Sequence, residues 1–415
     1  MKVFKFGGAS VKDASGVKNT AKVLEAVGCN DIIMVVSAMG KTTNAFEEGI
    51  KLYFENSDYQ QKLNQILNFH LDIISELFES GHQVFTEVED LFDELTQFLQ
   101  KNKSPNYDFV YDQTVPYGEL LSTKIVSHYL NQVGIENQWL DVREYIKTDD
   151  TYREAKVDMN ESKKNLEKLT PGKFYLTQGF IGSDSNYFTT TLGREGSDYS
   201  AAIIAHCLDA EDLTIWKDVE GVLNADPRYF ENPILLKSIS YQEAIELAFY
   251  GASVIHPKTL QPLKQKEIPF FVKSFLNPHG EGTRIQNGMS MDPDVPCYIL
   301  KKNQQLLTLT TRDFSFITED KISRICSLLH HLKIKVNLMQ NSAITFSLCV
   351  EDKFLRLEEF MNEIRAEYLI ECEKDVCLYT VRNFENKSVP EPGEGEELLR
   401  QIIKNTLQLI KKWQN

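Results

Sequence analysis

Three segments of this chain carry residue types that suit a phosphorylated ligand and a carboxylate. Lys5-Phe6-Gly7-Gly8-Ala9-Ser10 sets a lysine at a strand end, just before two glycines. An ammonium beside backbone amides at a helix start is a phosphate-binding arrangement, although a lone glycine pair is more often an ordinary tight turn. Thr191-Leu192-Gly193-Arg194-Glu195-Gly196-Ser197-Asp198-Tyr199-Ser200 places an arginine, two glycines and an aspartate ahead of a helix expected over 199–208. Arginine can take a carboxylate in bidentate fashion. A plain N-cap would account for Asp198, but not for Arg194 or the glycine pair, so a binding role is favoured. Trp216-Lys217-Asp218 ends a further strand, and its loop closes in Asp226-Pro227-Arg228. Nucleotides bind at that edge of a parallel sheet, and a surface turn is the plainer alternative.

Other candidates carry less. Glu119, in Pro116-Tyr117-Gly118-Glu119-Leu120-Leu121-Ser122, is by itself best read as a capping charge. Met39-Gly40-Lys41-Thr42 looks like the tail of a Walker A loop, but that loop needs a glycine where Val35 stands inside a strand, so it is excluded. His256-Pro257 reads as a helix stop with a structural histidine.

The elements that must position these residues alternate. Strand 2–6, helix 12–27 and strand 31–38 form a βαβ opening, and the second strand is apolar almost throughout, as in a sheet covered on both faces. Residues 44–103 hold no proline, and Leu63, Ile66, Phe69, Ile73 and Leu77 step at helical spacing; Gly81 separates a second helix bearing Val88, Leu91, Phe92, Leu95 and Phe98. Strands are expected at 174–181, 213–216 and 269–273, with helices at 199–208 and 241–250. This predicts an α/β fold with an open, mainly parallel sheet between helical layers. Residues 276–296 read as a Pro/Gly-rich linker. A smaller α+β pattern follows: strands 297–300, 305–310, 334–339, 343–350 and 375–382, with helices 319–332 and 352–367. Residues 385–397 read as an acidic disordered stretch, and 397–413 as a final helix with Leu399, Ile402, Ile403, Leu407, Ile410 and Trp413 on one side.

Composition bounds the partners. The chain has 415 residues with a net charge of −15, which argues against bulk binding to nucleic acid or anionic membrane but leaves room for a local basic pocket. No apolar run approaches the ~18 residues of a membrane span, and Gly7-Gly8 interrupts the start before a signal-peptide core could form. Seven scattered cysteines without C-x-x-C suit the reduced thiols of a cytoplasmic protein.

Taken together, these segments resemble the aspartate kinases of the amino-acid kinase superfamily. KFGGAS, VSAMGKTTN, GELLS, TQGFIG, TLGREGSDYSAA, WKDVEGVLNADPR, YGASVIHP and PFFVKSFLNPHGEGT fall in the family's order across residues 1–285. The resemblance implies an amino-acid kinase catalytic domain over 1–285, an ACT-like regulatory domain over 296–383, and the linker and last helix over 384–415. It implies MgATP-dependent phosphorylation of the L-aspartate side chain to 4-phospho-L-aspartate, the first step toward lysine, threonine and methionine. It also implies a homodimer formed through the ACT-like region. Carried over, Lys5 holds the ATP phosphates, and Gly7 and Gly8 supply amides. Thr43, Glu119 and Arg194 grip aspartate, with Phe180, Ser197 and Asp198 lining the site; Lys217, Asp218, Leu223, Arg228 and Ser253 lie on the nucleotide side. Lys5 and Asp198 form the catalytic pair. The substrate carboxylate is already ionised at neutral pH, so Asp198 organises the site and abstracts no proton.

The chain also departs from the family. Ala9 replaces a threonine, Glu195 a small residue and Leu223 an aromatic residue. Ser253 stands where the family has a lysine that reaches the ATP phosphates, with Lys217 and Lys258 as candidates to replace it. Segment 335–343 lacks the acids of lysine-responsive members, so insensitivity to lysine is expected. A second ACT module has no room for its last two strands if 397–413 is helical. Two rival readings are a kinase for another small carboxylate, and a weakly active or inactive paralogue that acts as an effector-binding partner.

Overall fold

The computed structural model describes residues 1–252, 255–384 and 395–412. Two compact units emerge: Met1–Val222 with Leu235–Ile245 and Val254–Pro293, and Leu223–Ile234 with Glu246–Ser253 and Asp294–Asn415.

The first unit opens with β1 (Lys2–Phe6), α1 (Ala14–Val27) and β2 (Ile32–Val36). Asp13 starts α1 by accepting from Gly16 N at 2.8 Å. Four long helices then follow without an intervening strand: α2 (Thr42–Phe54), α3 (Tyr59–Leu77), α4 (Gln83–Lys101) and, after the short α5 (Tyr107–Thr114), α6 (Tyr117–Gln132). The break between α3 and α4 falls at Gly81, whose φ of 88° suits glycine. Next come β3 (Gln138–Leu140), α7 (Met159–Leu166), β4 (Phe174–Gln178), a small hairpin of β5 (Ile181–Ser183) and β6 (Thr189–Thr191), α8 (Gly196–Cys207) and β7 (Leu213–Lys217). The unit continues with β8 (Ser238–Ser240), the start of α9 (Tyr241–Tyr250), α10 (Pro257–Lys266), β9 (Phe270–Ser274) and β10 (Thr283–Gln286).

Its sheet has eight strands in the order β3-β4-β2-β1-β7-β9-β10-β8, parallel throughout except between β9 and β10. Every residue of β2 is buried, as its unbroken apolar run requires. The stretch expected as a linker thus holds β10, which extends the sheet.

The second unit contains a six-stranded antiparallel sheet. Its elements are β11 (Cys297–Thr311), α11 (Glu319–His331), β12 (Lys335–Asn341), β13 (Thr345–Glu351), α12 (Leu357–Ile364), β14 (Tyr368–Arg382), β15 (Glu397–Ile403) and β16 (Thr406–Lys412). The strand order is β12-β13-β11-β14-β16-β15. Strands 297–300 and 305–310 are one strand here. The polar Lys301–Gln304 stretch that suggested a gap is a bulge, with Asn303 at φ 56° and Gln304 buried.

The expected C-terminal helix is corrected to the β15–β16 hairpin. Ile403 pairs with Thr406 across Lys404-Asn405, with Lys404 at φ 51°, and β16 pairs in full with Val376–Arg382 of β14. Leu407, Leu409 and Ile410 are buried there. The two strands thought to lack room are therefore present. Residues 385–394 of the expected disordered stretch, and Trp413, lie outside the described residues.

Candidate active site

The catalytic-side residues meet at the ends of β1 and β7 because these strands lie side by side in parallel register, Phe6 opposite Trp216. Trp216 stacks on Phe6 at 5.9 Å and meets Phe4 edge-on at the same distance. Side chains alternate along a strand, so with Phe4, Phe6 and Trp216 packed together on one face, Lys5 and Lys217 share the other. Over that face lies the first turn of α8, which carries Asp198. Lys5 Nζ is 2.6 Å from Asp198 Oδ1, and Lys217 Nζ is 3.5 Å from Oδ2. Burial alone would raise the Asp198 pKa, but the Lys5 and Lys217 ammonium groups outweigh it and hold the carboxyl below its ordinary value.

Gly8 lets the loop after β1 approach the loop after β2. A Cβ at Gly8 would sit 2.7 Å from the Ala38 carbonyl oxygen, and Gly40 N donates to Gly8 O at 3.1 Å. Among the described residues, the N–H groups of Gly7 and Gly8 donate to no acceptor in the chain. Such amides beside Lys5 suit phosphate oxygens.

Glu119 lies in the first turn of α6 and is 3% exposed. Its Oε1 accepts weakly from Ala38 N at 3.4 Å, and its Oε2 has no hydrogen-bond partner among the described residues. Burial pushes its pKa up to about 8, against the smaller pull of the Ala38 amide and Lys5. Burial thus favours its neutral form in the free protein, and an arriving ammonium group would satisfy it. Thr43 is half-buried in the first turn of α2, and its neighbour Thr42 closes the preceding turn by donating to Met39 O at 2.6 Å.

Arg194 is exposed and makes no hydrogen bond or ion pair among the described residues. Glu195, just after it, takes the left-handed conformation at φ 55°, which explains why a small residue suits that position. Gly196 is required by packing: a Cβ there would meet the Phe180 ring at 2.5 Å. Phe180, itself at φ 71°, donates its N–H to Ser200 Oγ at 2.8 Å. Ser197 is half-buried beside Gly179.

Of the residues expected near the nucleotide, Asp218 is exposed just past β7. Leu223 and Arg228 belong to the second unit, where Arg228 forks onto Asp226 at 2.6 to 3.1 Å. Ser253 lies outside the described residues. Lys258 is committed elsewhere: its ammonium donates to Leu192 O at 2.9 Å and lies 4.9 Å from the Tyr199 ring centroid. Sequence reasoning left Asp112 and Tyr111 of α5 unnoticed, since no spacing or neighbouring motif marks them.

A model of the amino acid kinase family matches residues 1–274. The lysine-sensitive aspartokinase 3 of Escherichia coli is 31% identical over 391 residues, covering 91% of this chain and 85% of that protein. The crystal structure of E. coli aspartokinase III with lysine and aspartate superposes with a TM-score of 0.82 at 28% identity, over 99% of this chain and 95% of that one. The same enzyme with aspartate and ADP gives 0.80 at 27% identity, over 99% and 96%.

Proposed function

This chain belongs to the amino acid kinase family, and from that premise we propose how its own residues move the γ-phosphoryl group of ATP to the side chain of L-aspartate. Its function is that of an aspartate kinase, and it uses ATP. The product is 4-phospho-L-aspartate, the entry to lysine, threonine and methionine synthesis.

In the proposed arrangement, Thr43, Glu119 and Arg194 hold aspartate, with Phe180 and Ser197 lining the site. Arg194 takes a carboxylate and Glu119 the ammonium. Lys5, Lys217 and the amides of Gly7 and Gly8 face the phosphates, and Asp218, Leu223, Arg228 and Ser253 lie on the nucleotide side. A β-carboxylate oxygen attacks the γ-phosphorus; the bond from that phosphorus to the β–γ bridging oxygen breaks, and its electron pair leaves with ADP. The attacking carboxylate is already ionised, so no base is needed. Asp198 aims Lys5 and Lys217 at the transferring group, where fixed cations lower the barrier without reorganising.

Among the described residues no cluster of three His, Cys, Asp or Glu side chains could hold a metal alone. Mg²⁺ would arrive on the phosphate oxygens, its usual ligands, and the exposed Asp218, just past β7, is a carboxylate that could share it. It would neutralise phosphate charge. Lys217 takes the role of the lysine that Ser253 replaces, and what supports this is its 3.5 Å approach to Asp198. A homodimer through the ACT-like region and a cytoplasmic location complete the reading. Among the described residues no helix is long and apolar enough to cross a membrane.

The observation that carries the proposal is the buried pair of Lys5, in β1, with Asp198, in the first turn of α8. The test is ATP-dependent formation of aspartyl hydroxamate by purified protein. A folded protein that yields none, or whose Lys5→Met variant is equally active, refutes it.

A further inference from the structure

Two consecutive residues of α5 bind elements that carry different substrate-gripping groups. Tyr111 donates its hydroxyl to Glu47 Oε1 at 2.7 Å, on α2, whose first turn holds Thr43. Asp112 accepts from Thr191 N and Thr191 Oγ1, each at 2.8 Å, and from Arg153 N at 3.0 Å. Thr191 ends β6, three positions before Arg194. Around it Ala155 N donates to Thr191 O at 2.9 Å, Leu192 N to Phe180 O at 2.8 Å, and Lys258 Nζ to Leu192 O at 2.9 Å. The chain is thus fixed as far as Leu192, and Arg194 extends from a rigid base.

Asp112 is 0% exposed and every donor around its carboxylate points to one strand end and one loop. A buried carboxylate is costly unless it is hydrogen-bonded, so this one marks a place where the backbone must not shift. An asparagine would keep one acceptor oxygen and turn an NH₂ group toward amide donors.

We propose that Asp112 is a positioning residue that, with Tyr111, sets the span between Thr43 and Arg194, so that the site fits a four-carbon amino dicarboxylate better than a five-carbon one. The two differ by one methylene, which a yielding site discriminates poorly. A fixed span supplies the difference. This rests on the reading that Arg194 grips aspartate.

The test compares Asp112→Asn and Thr191→Val with the parent protein in steady-state kinetics on aspartate, glutamate and ATP, alongside thermal melting. The expected result is an aspartate KM raised about tenfold, a smaller fall in kcat and an unchanged ATP KM. The preference for aspartate over glutamate should shrink in both variants. If Asp112→Asn does not fold, Thr191→Val, which loses only the hydroxyl donor, decides. A preference that stays intact, or aspartate and ATP KM values that rise together as the melting point falls, overturns the proposal. Arg194→Ala is run in parallel. If it leaves aspartate KM unchanged, the grip reading itself is wrong; if it raises that KM while the Asp112 and Thr191 variants do not, only the positioning role fails.

Discussion

Asp198 is shared between two lysines: Lys5 meets its Oδ1 at 2.6 Å and Lys217 its Oδ2 at 3.5 Å. The shared carboxylate holds both ammonium groups at neighbouring strand ends, where the proposed phosphates would lie. Lys217→Met should therefore lower kcat/KM for ATP by about ten- to a hundredfold and leave aspartate KM nearly unchanged. Lys258→Met should spare ATP, since that ammonium is bound to Leu192 O. Adding Ser253→Lys to Lys217→Met should recover part of the loss. Steady-state kinetics on all three variants checks this, and an ATP KM that moves only in Lys258→Met reverses the assignment.

The candidate residues were legible where their signal is local. Lys5, Gly8, Asp198 and Lys217 sit at strand ends or helix starts, and short motifs mark such places. Asp112 carries no such mark, because its role comes from packing against Thr191, far away in sequence. The hairpin at the C-terminus was missed for a related reason. Leu399, Ile402, Ile403, Leu407 and Ile410 satisfy a helical spacing, and propensity yields when a neighbouring strand offers a ladder. Here Val376–Arg382 of β14 does so. The one local clue was Lys404-Asn405, a two-residue turn with Lys404 at positive φ. The loop 223–234 could not be assigned to the second unit from sequence, since Phe230 joins Tyr298 and Tyr379 only in three dimensions.

Glu119 gives a prediction about protons. Burial lifts its pKa to about 8, so the free protein holds it neutral below that value. An aspartate ammonium placed beside it favours the carboxylate and lowers the pKa. Binding of aspartate at pH 7 should then release up to about one proton, and release should fade above pH 8. Calorimetry in buffers of different ionisation enthalpy measures this directly. Glu119→Gln should bind aspartate more weakly and release none. Equal proton release from parent and variant would place the ammonium elsewhere.

Assembly follows from strand order. The apolar segment 343–350 is the core of β13 and is covered by β12 and β11 on its two sides. The edges of this sheet are β12, where Met339 is 48% exposed, and β15, where Ile402 and Ile403 are 56% and 58% exposed. An open edge of this kind calls for a cover, and a second copy across a two-fold axis is the simplest. Gel filtration with light scattering should show a dimer, and Met339→Lys should shift it toward monomer. A monomeric parent protein at micromolar concentration refutes the assembly.

The segment expected to face an effector has a cation beside it. Lys301 Nζ donates to Asn337 Oδ1 at 2.9 Å, and Asn337 Nδ2 donates to Gln304 Oε1 at 2.7 Å, so both ends of that amide are taken. Lys335 stands two residues away on the same strand. A free lysine brought here would set its side-chain ammonium beside Lys301 and Lys335 and find no carboxylate in 335–343, while Glu351, across from Lys335, already lies 3.7 Å from Lys353, so the cost is of kcal/mol order. Activity should therefore be insensitive to millimolar lysine, while threonine, whose side chain is neutral, is compatible with the segment. Burial pushes the Lys301 pKa down to about 8, so the repulsion it supplies is present at pH 7 and fades as the pH rises past that value. Replacing the cation and adding an acid, in Lys301→Ala with Asn337→Asp, should create lysine inhibition where none existed. Initial rates across a lysine titration at pH 7 decide: strong inhibition of the parent protein by lysine alone would mean that the effector binds away from Asn337.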